Sequence, residues 1–252
     1  MPSKTFSYGG GVQSTAALVL AARKEIPYDT FVFANVGDDS ENPTTIRYLH
    51  EIAIPFAAKH GVVLEVVQLH VKGKPVTILE RIHSTNKGGV GRINIPVYMS
   101  SGMPAQRRCT YDFKVEVIQR RYGVVGLGIS VDEIHRARFG EPDRVYPLLE
   151  LGLFRRDCIR IIEDAGLPVP PKSSCWFCPF HSMQAWQEMR NNQPEQFQKA
   201  VALEQFINER RVREGYNKVW FSRTLRPLDE ATTDLHQMSF DDDFCDSGYC
   251  FL

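Results

Sequence analysis

The sequence predicts an α/β protein: a doubly wound parallel sheet of five strands, followed by a helical, cysteine-containing subdomain. Three observations carry this. The chain opens on a short apolar strand that passes through a glycine-rich turn directly into an apolar helix. Residues 30–36, Thr-Phe-Val-Phe-Ala-Asn-Val, are apolar nearly throughout, as in a strand covered on both faces. Between them and a further apolar run at 62–69, the residues Ile46, Leu49, Ile52, Ala53 and Phe56 recur at helical spacing, so a helix is expected over 43–60. This βαβαβ order with short connections predicts parallel strands and right-handed crossovers.

The first turn is the most informative stretch. Phe6-Ser7-Tyr8 leads into Gly9-Gly10-Gly11, and Ser14-Thr15 opens the helical run Ala16–Ala22. Glycines let backbone N–H groups approach a ligand without an intervening side chain, and the helix directs its positive end to the same point. The hydroxyls of Ser14 and Thr15 add donors. A phosphate site is therefore expected over Gly9, Gly10, Gly11, Gln13, Ser14 and Thr15, with Ser7 leading into it. A bare helix cap at Ser14 would need fewer glycines. The spacing is neither a Walker loop, which requires a following Gly-Lys-Ser/Thr, nor a dinucleotide GxGxxG.

Ligands in open α/β sheets lie beyond the carboxyl ends of the strands. Asn35, Val36 and Gly37 fall there with the glycine loop, whereas Asp38 and Asp39 are open to reading as an ordinary solvated turn. Residues 70–105 are basic and interrupted by glycine and proline, and read as an irregular, substrate-facing insertion. A fourth strand is expected over 124–130, a fifth over 145–149 and a helix over 154–165 that Gly166 stops. Cys158 reads as core. The proline-rich 168–171 is an extended spacer, and 182–215 is helical, with Arg210, Arg211 and Arg213 read as a solvated face, a nucleic-acid patch being the alternative. The expected organisation is a nucleotide-binding α/β domain over 1–165 and a helical cap over 166–252.

Composition excludes several classes. Lys+Arg and Asp+Glu stand at 30 each, so no global field attracts polyanions. No apolar run approaches the roughly 20 residues of a membrane helix. A strand begins almost at once, leaving no room for a signal peptide, so the cytoplasm and reduced thiols are expected.

Several segments, in order, resemble the PP-loop ATP-pyrophosphatase and PAPS reductase superfamily, phage and bacterial PAPS reductase-like proteins above all. Gly9–Ser14 resembles the SGGxDS loop, with Gly9 at its first Ser and Gln13 at its Asp. Asn35-Val36-Gly37-Asp38 resembles a "DTG" turn. Arg107-Arg108-Cys109-Thr110 through Lys114 resembles the R-x-C-T-x-x-x-K segment of PAPS reductase-like and DNA-phosphorothioation sulfurtransferase sequences. Gly128 through Arg138 resembles G-I/L-R-x-x-E-S-x-R, with Glu133 and Arg136 matched and Ser130 at the pattern's Arg. Cys175-Trp176-Phe177-Cys178-Pro179-Phe180 completes the likeness, which spans about residues 5 to 180.

The resemblance implies a nucleotide, ATP or PAPS, with Mg2+ over the glycine loop, and Val36 and Gly37 by the adenosine, with Gly128 beside the nucleotide. It implies Cys109, Glu133 and Arg136 in catalysis, and Arg108, Lys114, His135 and Arg138 on a substrate anion. Cys-x-x-Cys presents two thiolates from one turn. A [4Fe–4S] cluster on Cys109, Cys175, Cys178 and Cys250 (or Cys245) is the first expectation. A zinc site on Cys175, Cys178, Cys245 and Cys250, or a dithiol, are the alternatives. The implied activity is ATP-dependent sulfur transfer: an acceptor is adenylated and sulfur displaces the adenylate. The acceptor would be a nucleic acid or a small molecule, with a sulfur donor or thiol reductant protein as partner and a homodimer compatible with the pattern. A PAPS/APS reductase releasing sulfite and a non-catalytic nucleotide module with structural zinc remain as alternatives.

Overall fold

The computed structural model describes residues 4–233. The chain forms two compact units. Unit 1 runs from the N-terminus to Val76 and resumes over Tyr111–Ser174; unit 2 takes Thr77–Thr110 and the chain from Cys175 onward.

Unit 1 is built on a five-stranded, wholly parallel sheet: β1 (Thr5–Ser7), β2 (Thr30–Asn35), β3 (Val63–Gln68), β4 (Val125–Leu127) and β5 (Arg144–Val145), in spatial order β3-β2-β1-β4-β5. The central strand β1 pairs Phe6 with Phe31 on one side and with Gly126 on the other. Alternation along β2 sorts its side chains onto two faces. Phe31 and Phe33 join the helices Val12–Ala22 and Arg155–Asp164 in the larger core, with Phe6, Leu18, Leu148 and Ile162. Val32 and Ala34 face the other way, onto Ile118 of the helix Glu116–Tyr122. Helices thus cover both faces, the doubly wound arrangement expected from the sequence. Cys158 lies in the larger core, and burial pushes its thiol up to about 12.

Two elements differ from expectation. The fifth strand is only Arg144–Val145, and Pro147–Glu150 is a helical turn instead. Pro147 has no N–H for a ladder and a φ already suited to a first helical turn. The 70–105 stretch also carries regular structure. His70–Val71 pairs with Lys74–Pro75 as a hairpin, and Ile78–His83 is a helix. Thr77 and Glu80 close a capping box there, and Ile78 and Ile82 bury one side. The helix expected over 43–60 is present as Pro43–Tyr48, a π-type turn Leu49–Ala53 and Ile54–Lys59. Pro55, which cannot donate to the preceding turn, accounts for the widening.

Unit 2 is helical, with Met183–Asn192, Pro194–Arg213 and Leu228–Ala231 packed around Trp186, Phe197, Ile207 and Phe221. Glu204 is buried within it and accepts backbone N–H bonds from Phe221 (2.6 Å) and Leu228 (2.8 Å).

Candidate functional site

The strand order reverses direction at β1, whose neighbours β2 and β4 are far apart in sequence. This is the topological switch point, where a crevice opens beyond the strands' carboxyl ends. The turn after β1 and the turn after β4 meet there. A Cβ on Gly128 would lie 3.1 Å from the backbone N of Ser14 and 3.3 Å from the carbonyl carbon of Gln13, so the two turns touch closely and a side chain here would push them apart by a few tenths of an ångström. Gly10 adopts φ +75°, a left-handed conformation that a side chain disfavours. Gly11, extended, caps the helix Val12–Ala22 without any side-chain bond to the first turn.

The first helical turn is consequently left open. Among the described residues, no backbone N–H from Gly9 to Ser14 meets a protein acceptor; the ladder begins with Thr15 N–H onto the Gly11 carbonyl at 3.0 Å. Consecutive unpartnered N–H groups at a helix N-terminus form a concave, positively polarised cradle for an anion.

Side chains fix this cradle more than they line it. The Ser14 hydroxyl donates to the Gly11 carbonyl (3.0 Å), and Thr15 shares a hydrogen bond with the buried Tyr8 hydroxyl (3.0 Å). Burial holds the Tyr8 phenol well above its usual range. The Gln13 amide donates to Ser130 Oγ and accepts from Arg155 Nη1, both at 3.3 Å. Arg155, at the start of the helix Arg155–Asp164, therefore stands beside the loop, a placement that no feature of the sequence signals. On the other side, a Cβ at Gly10 would come within 3.0 Å of Thr45 Cγ2 and 3.4 Å of Ser173 Oγ. Thr45 Oγ1, Ser173 Oγ and Glu41 Oε2 are buried polar atoms with no protein partner. Such atoms are ordinarily satisfied by water or ligand.

The other expected site residues are distributed as follows. Ser7 ends β1. Asn35 accepts from Gly37 N–H (2.8 Å) and donates to Asp38 (2.7 Å), and Val36 is buried behind the turn. Glu133 and Arg136 form a buried ion pair at 2.7 Å; burial raises the Glu133 carboxyl and the neighbouring Arg136 opposes the shift. His135 and Arg138 point outward, and Arg138 lies 3.6 Å from Glu141. Lys114 bonds to the buried Glu41.

Cys109, Cys175 and Cys178 all belong to unit 2, together with Arg108, which is exposed. Cys109 donates its N–H to Asn94 (2.7 Å), while Cys178 N–H closes a turn on Cys175 (3.1 Å). The imidazole of His181 bonds to the Cys175 carbonyl. Among the described residues no group of three His, Cys, Asp or Glu side chains is placed to hold a metal ion. Cys245 and Cys250 lie outside the described residues.

Compared with known proteins, the chain matches no family model, no curated protein and no solved structure. Among the described residues, no helix is long and apolar enough to cross a membrane.

Proposed function

We propose that this protein is a cytoplasmic, nucleotide-dependent transferase of the PP-loop type. In this reading it binds ATP over Gly9–Ser14 and passes the adenylyl group to an acceptor. The observation that carries the reading is the row of unpartnered N–H groups from Gly9 to Ser14 at the switch point. Such a cradle suits the β- and γ-phosphates. Arg155 adds a guanidinium on one flank, and the buried hydroxyls of Thr45 and Ser173 offer hydrogen bonds on the other.

The acceptor oxygen attacks the α-phosphorus, the α–β anhydride bond breaks, and pyrophosphate leaves into the backbone cradle, which stabilises its charge. In sulfur transfer, a sulfur nucleophile then displaces AMP from the acceptor. Magnesium enters with the triphosphate as part of the substrate. No step is routed through a cysteine-bound cluster.

The test is isothermal titration with ATP and with Mg-ATP, followed by assay of pyrophosphate release with candidate acceptors. Micromolar binding and acceptor-dependent pyrophosphate are expected. Binding without pyrophosphate under any condition would leave a non-catalytic nucleotide module. Sulfite release from PAPS would replace the transferase reading with a reductase, and metal analysis of anaerobically purified protein separates iron–sulfur from zinc.

A further inference from the structure

The two edges of the parallel sheet are built differently. One edge, β5, is only Arg144–Val145, and Arg144 is ion-paired to Glu141 at 3.0 Å. So short and charged a strand is a poor template for a further one. The other edge, β3, runs for six residues, Val63–Gln68, without proline, lysine or glycine. Two of its valines stand in solvent, Val63 at 51% and Val66 at 42% exposure. Edge strands are ordinarily blunted by charge, proline or a bulge, because their open backbone recruits other strands. The single charge on β3 does not serve that purpose. The Glu65 carboxylate is drawn onto its own chain, accepting from Arg121 at 3.1 Å and from the Tyr122 hydroxyl at 2.7 Å.

The backbone of β3 can be accounted for group by group. Val63 N–H donates to the Asp29 carbonyl at 2.9 Å, and the parallel register with β2 then runs unbroken from Val63 opposite Thr30 to Gln68 opposite Asn35. In that register Val63, Glu65 and Val67 turn both N–H and C=O toward β2, whereas Leu64, Val66 and Gln68 turn theirs outward. Just before the strand, Val62 N–H is taken by the Ala57 carbonyl (2.9 Å). At its end, the Gln68 carbonyl accepts from the His70 imidazole (2.9 Å). Between these points, among the described residues, the N–H and C=O of Leu64 and Val66 and the N–H of Gln68 meet no protein partner.

We propose that β3 is the interface of a two-fold homodimer, in which the β3 strands of two copies pair antiparallel and join the two five-stranded sheets into one. The open groups select the register. With Val66 opposite Val66 of the second copy, the two residues exchange both hydrogen bonds, and Leu64 does the same with Gln68 of the second copy. The Gln68 carbonyl keeps a lone pair for this beside the His70 bond. A register centred on Glu65 opposes two carboxylates and sets Gln68 against Val62, whose N–H is taken. One centred on Val67 sets Leu64 against His70, which is engaged in the hairpin with Pro75. The donors and acceptors thus match the same edge reversed, which makes a second copy the occupant. The exposed Val66 side chains meet on the two-fold axis. A six-residue strand is small beside the roughly 20–30 residues a side of a standard interface, so micromolar association is expected. The inference does not depend on the nucleotide-transfer reading, since β3 is not part of the Gly9–Ser14 cradle.

The test is sedimentation velocity of the full chain, under reducing conditions, from about 1 to about 200 µM, a range that brackets micromolar association. A reversible monomer–dimer equilibrium with no larger species is expected. Val66→Pro removes an outward N–H without touching the β2 ladder, a change that edge strands accept. Val66→Lys places two like charges on the two-fold axis. Each should raise the dissociation constant at least tenfold. Melting temperatures taken at the lowest concentration show whether each variant is folded, and Val66→Lys carries the test if Val66→Pro is not. The register is read by V66C and V63C under mild oxidation with oxidised glutathione. Directly opposed residues of a hydrogen-bonded pair stand about 5.5 Å apart at Cα, within disulfide reach. V66C should therefore be captured as a covalent dimer several-fold more than V63C or the parent. A monomer throughout the range, a dimer unmoved by a folded Val66 variant, V66C cross-linking no better than V63C or the parent, or open-ended growth beyond the dimer would each overturn the proposal.

Discussion

Lys114 Nζ lies 3.3 Å from Oε1 of Glu41, a carboxylate whose side chain is completely buried and whose other oxygen has no protein partner. The lysine expected to meet a substrate anion thus neutralises an internal one. Removing it would leave a charge uncompensated in a dry setting. Lys114→Ala is expected to destabilise the protein by about 3–5 kcal/mol. The double variant K114M/E41L should recover most of that loss. Urea denaturation measures both, and a Lys114→Ala cost below about 1 kcal/mol would show that the pair contributes little.

The two glycines of the crevice should separate strain from obstruction. Gly10→Ala places a Cβ at φ +75° and against Thr45, so a loss of about 1–3 kcal/mol in stability is expected, together with weaker ATP binding.

Gly128→Ala has a different signature. Its Cβ would press on backbone atoms of Gln13 and Ser14, the stretch proposed to cradle phosphate. ATP affinity should drop tenfold or more by calorimetry, well beyond the change for adenosine. Equal losses for ATP and adenosine would argue against phosphates over this loop.

Arg155→Ala removes the only guanidinium hydrogen-bonded to the loop's side chains among the described residues. A charge-assisted bond contributes about 1.5–3 kcal/mol, so ATP binding should fall about tenfold or more while adenosine binding holds. Gln13→Leu, which keeps Arg155 but frees its Gln13 bond, should cost less.

Glu204 sets an expected pH dependence. Burial raises its carboxyl to about 7, against the two backbone N–H bonds from Phe221 and Leu228 that favour the ionised form. Because the folded state holds this proton more tightly than the unfolded chain, its stabilisation is complete below about pH 4.5 and is lost as pH rises through 7. The full effect is at most about 3 kcal/mol. Melting curves from pH 5 to 8 should fall more steeply for the parent than for Glu204→Gln. Parallel profiles would contradict the raised carboxyl.

The nearly unbroken apolar run of β2 and the helical spacing after it made the sheet legible, because local sequence carries both patterns. The glycine loop was legible for a related reason: consecutive glycines before an apolar helix have few other uses. The partners that fix the loop were not. Arg155 and Gln13, or Gly10 and Ser173, are brought together only by the winding of the sheet, and nothing near any of them in sequence says so. The Pro147–Glu150 turn escaped because an apolar run of that length suits a strand as well as a helix. The capping box at Thr77 and Glu80 was present in the sequence but obscured by the glycines around it. Arg210, expected on a solvated face, is instead buried with its guanidinium donating to the carbonyls of Ile82 and Arg92, and it illustrates the remaining difficulty. Three arginines in one helical turn look alike, and only packing decides which is interior.

The interleaving of the two units bears on how the protein comes into being. β4, which flanks the central strand and leads into Gly128, lies about 120 residues after β1. A growing chain therefore releases β1, β2 and β3, then the whole of 77–110, before the sheet can receive its middle neighbour. Until then one edge of β1 exposes its unpaired backbone, and the crevice lacks one wall. Closure over so long a separation favours slow, late consolidation. Neither unit can be obtained by cutting the chain once, and a nascent protein is expected to acquire nucleotide binding only after its second half has emerged.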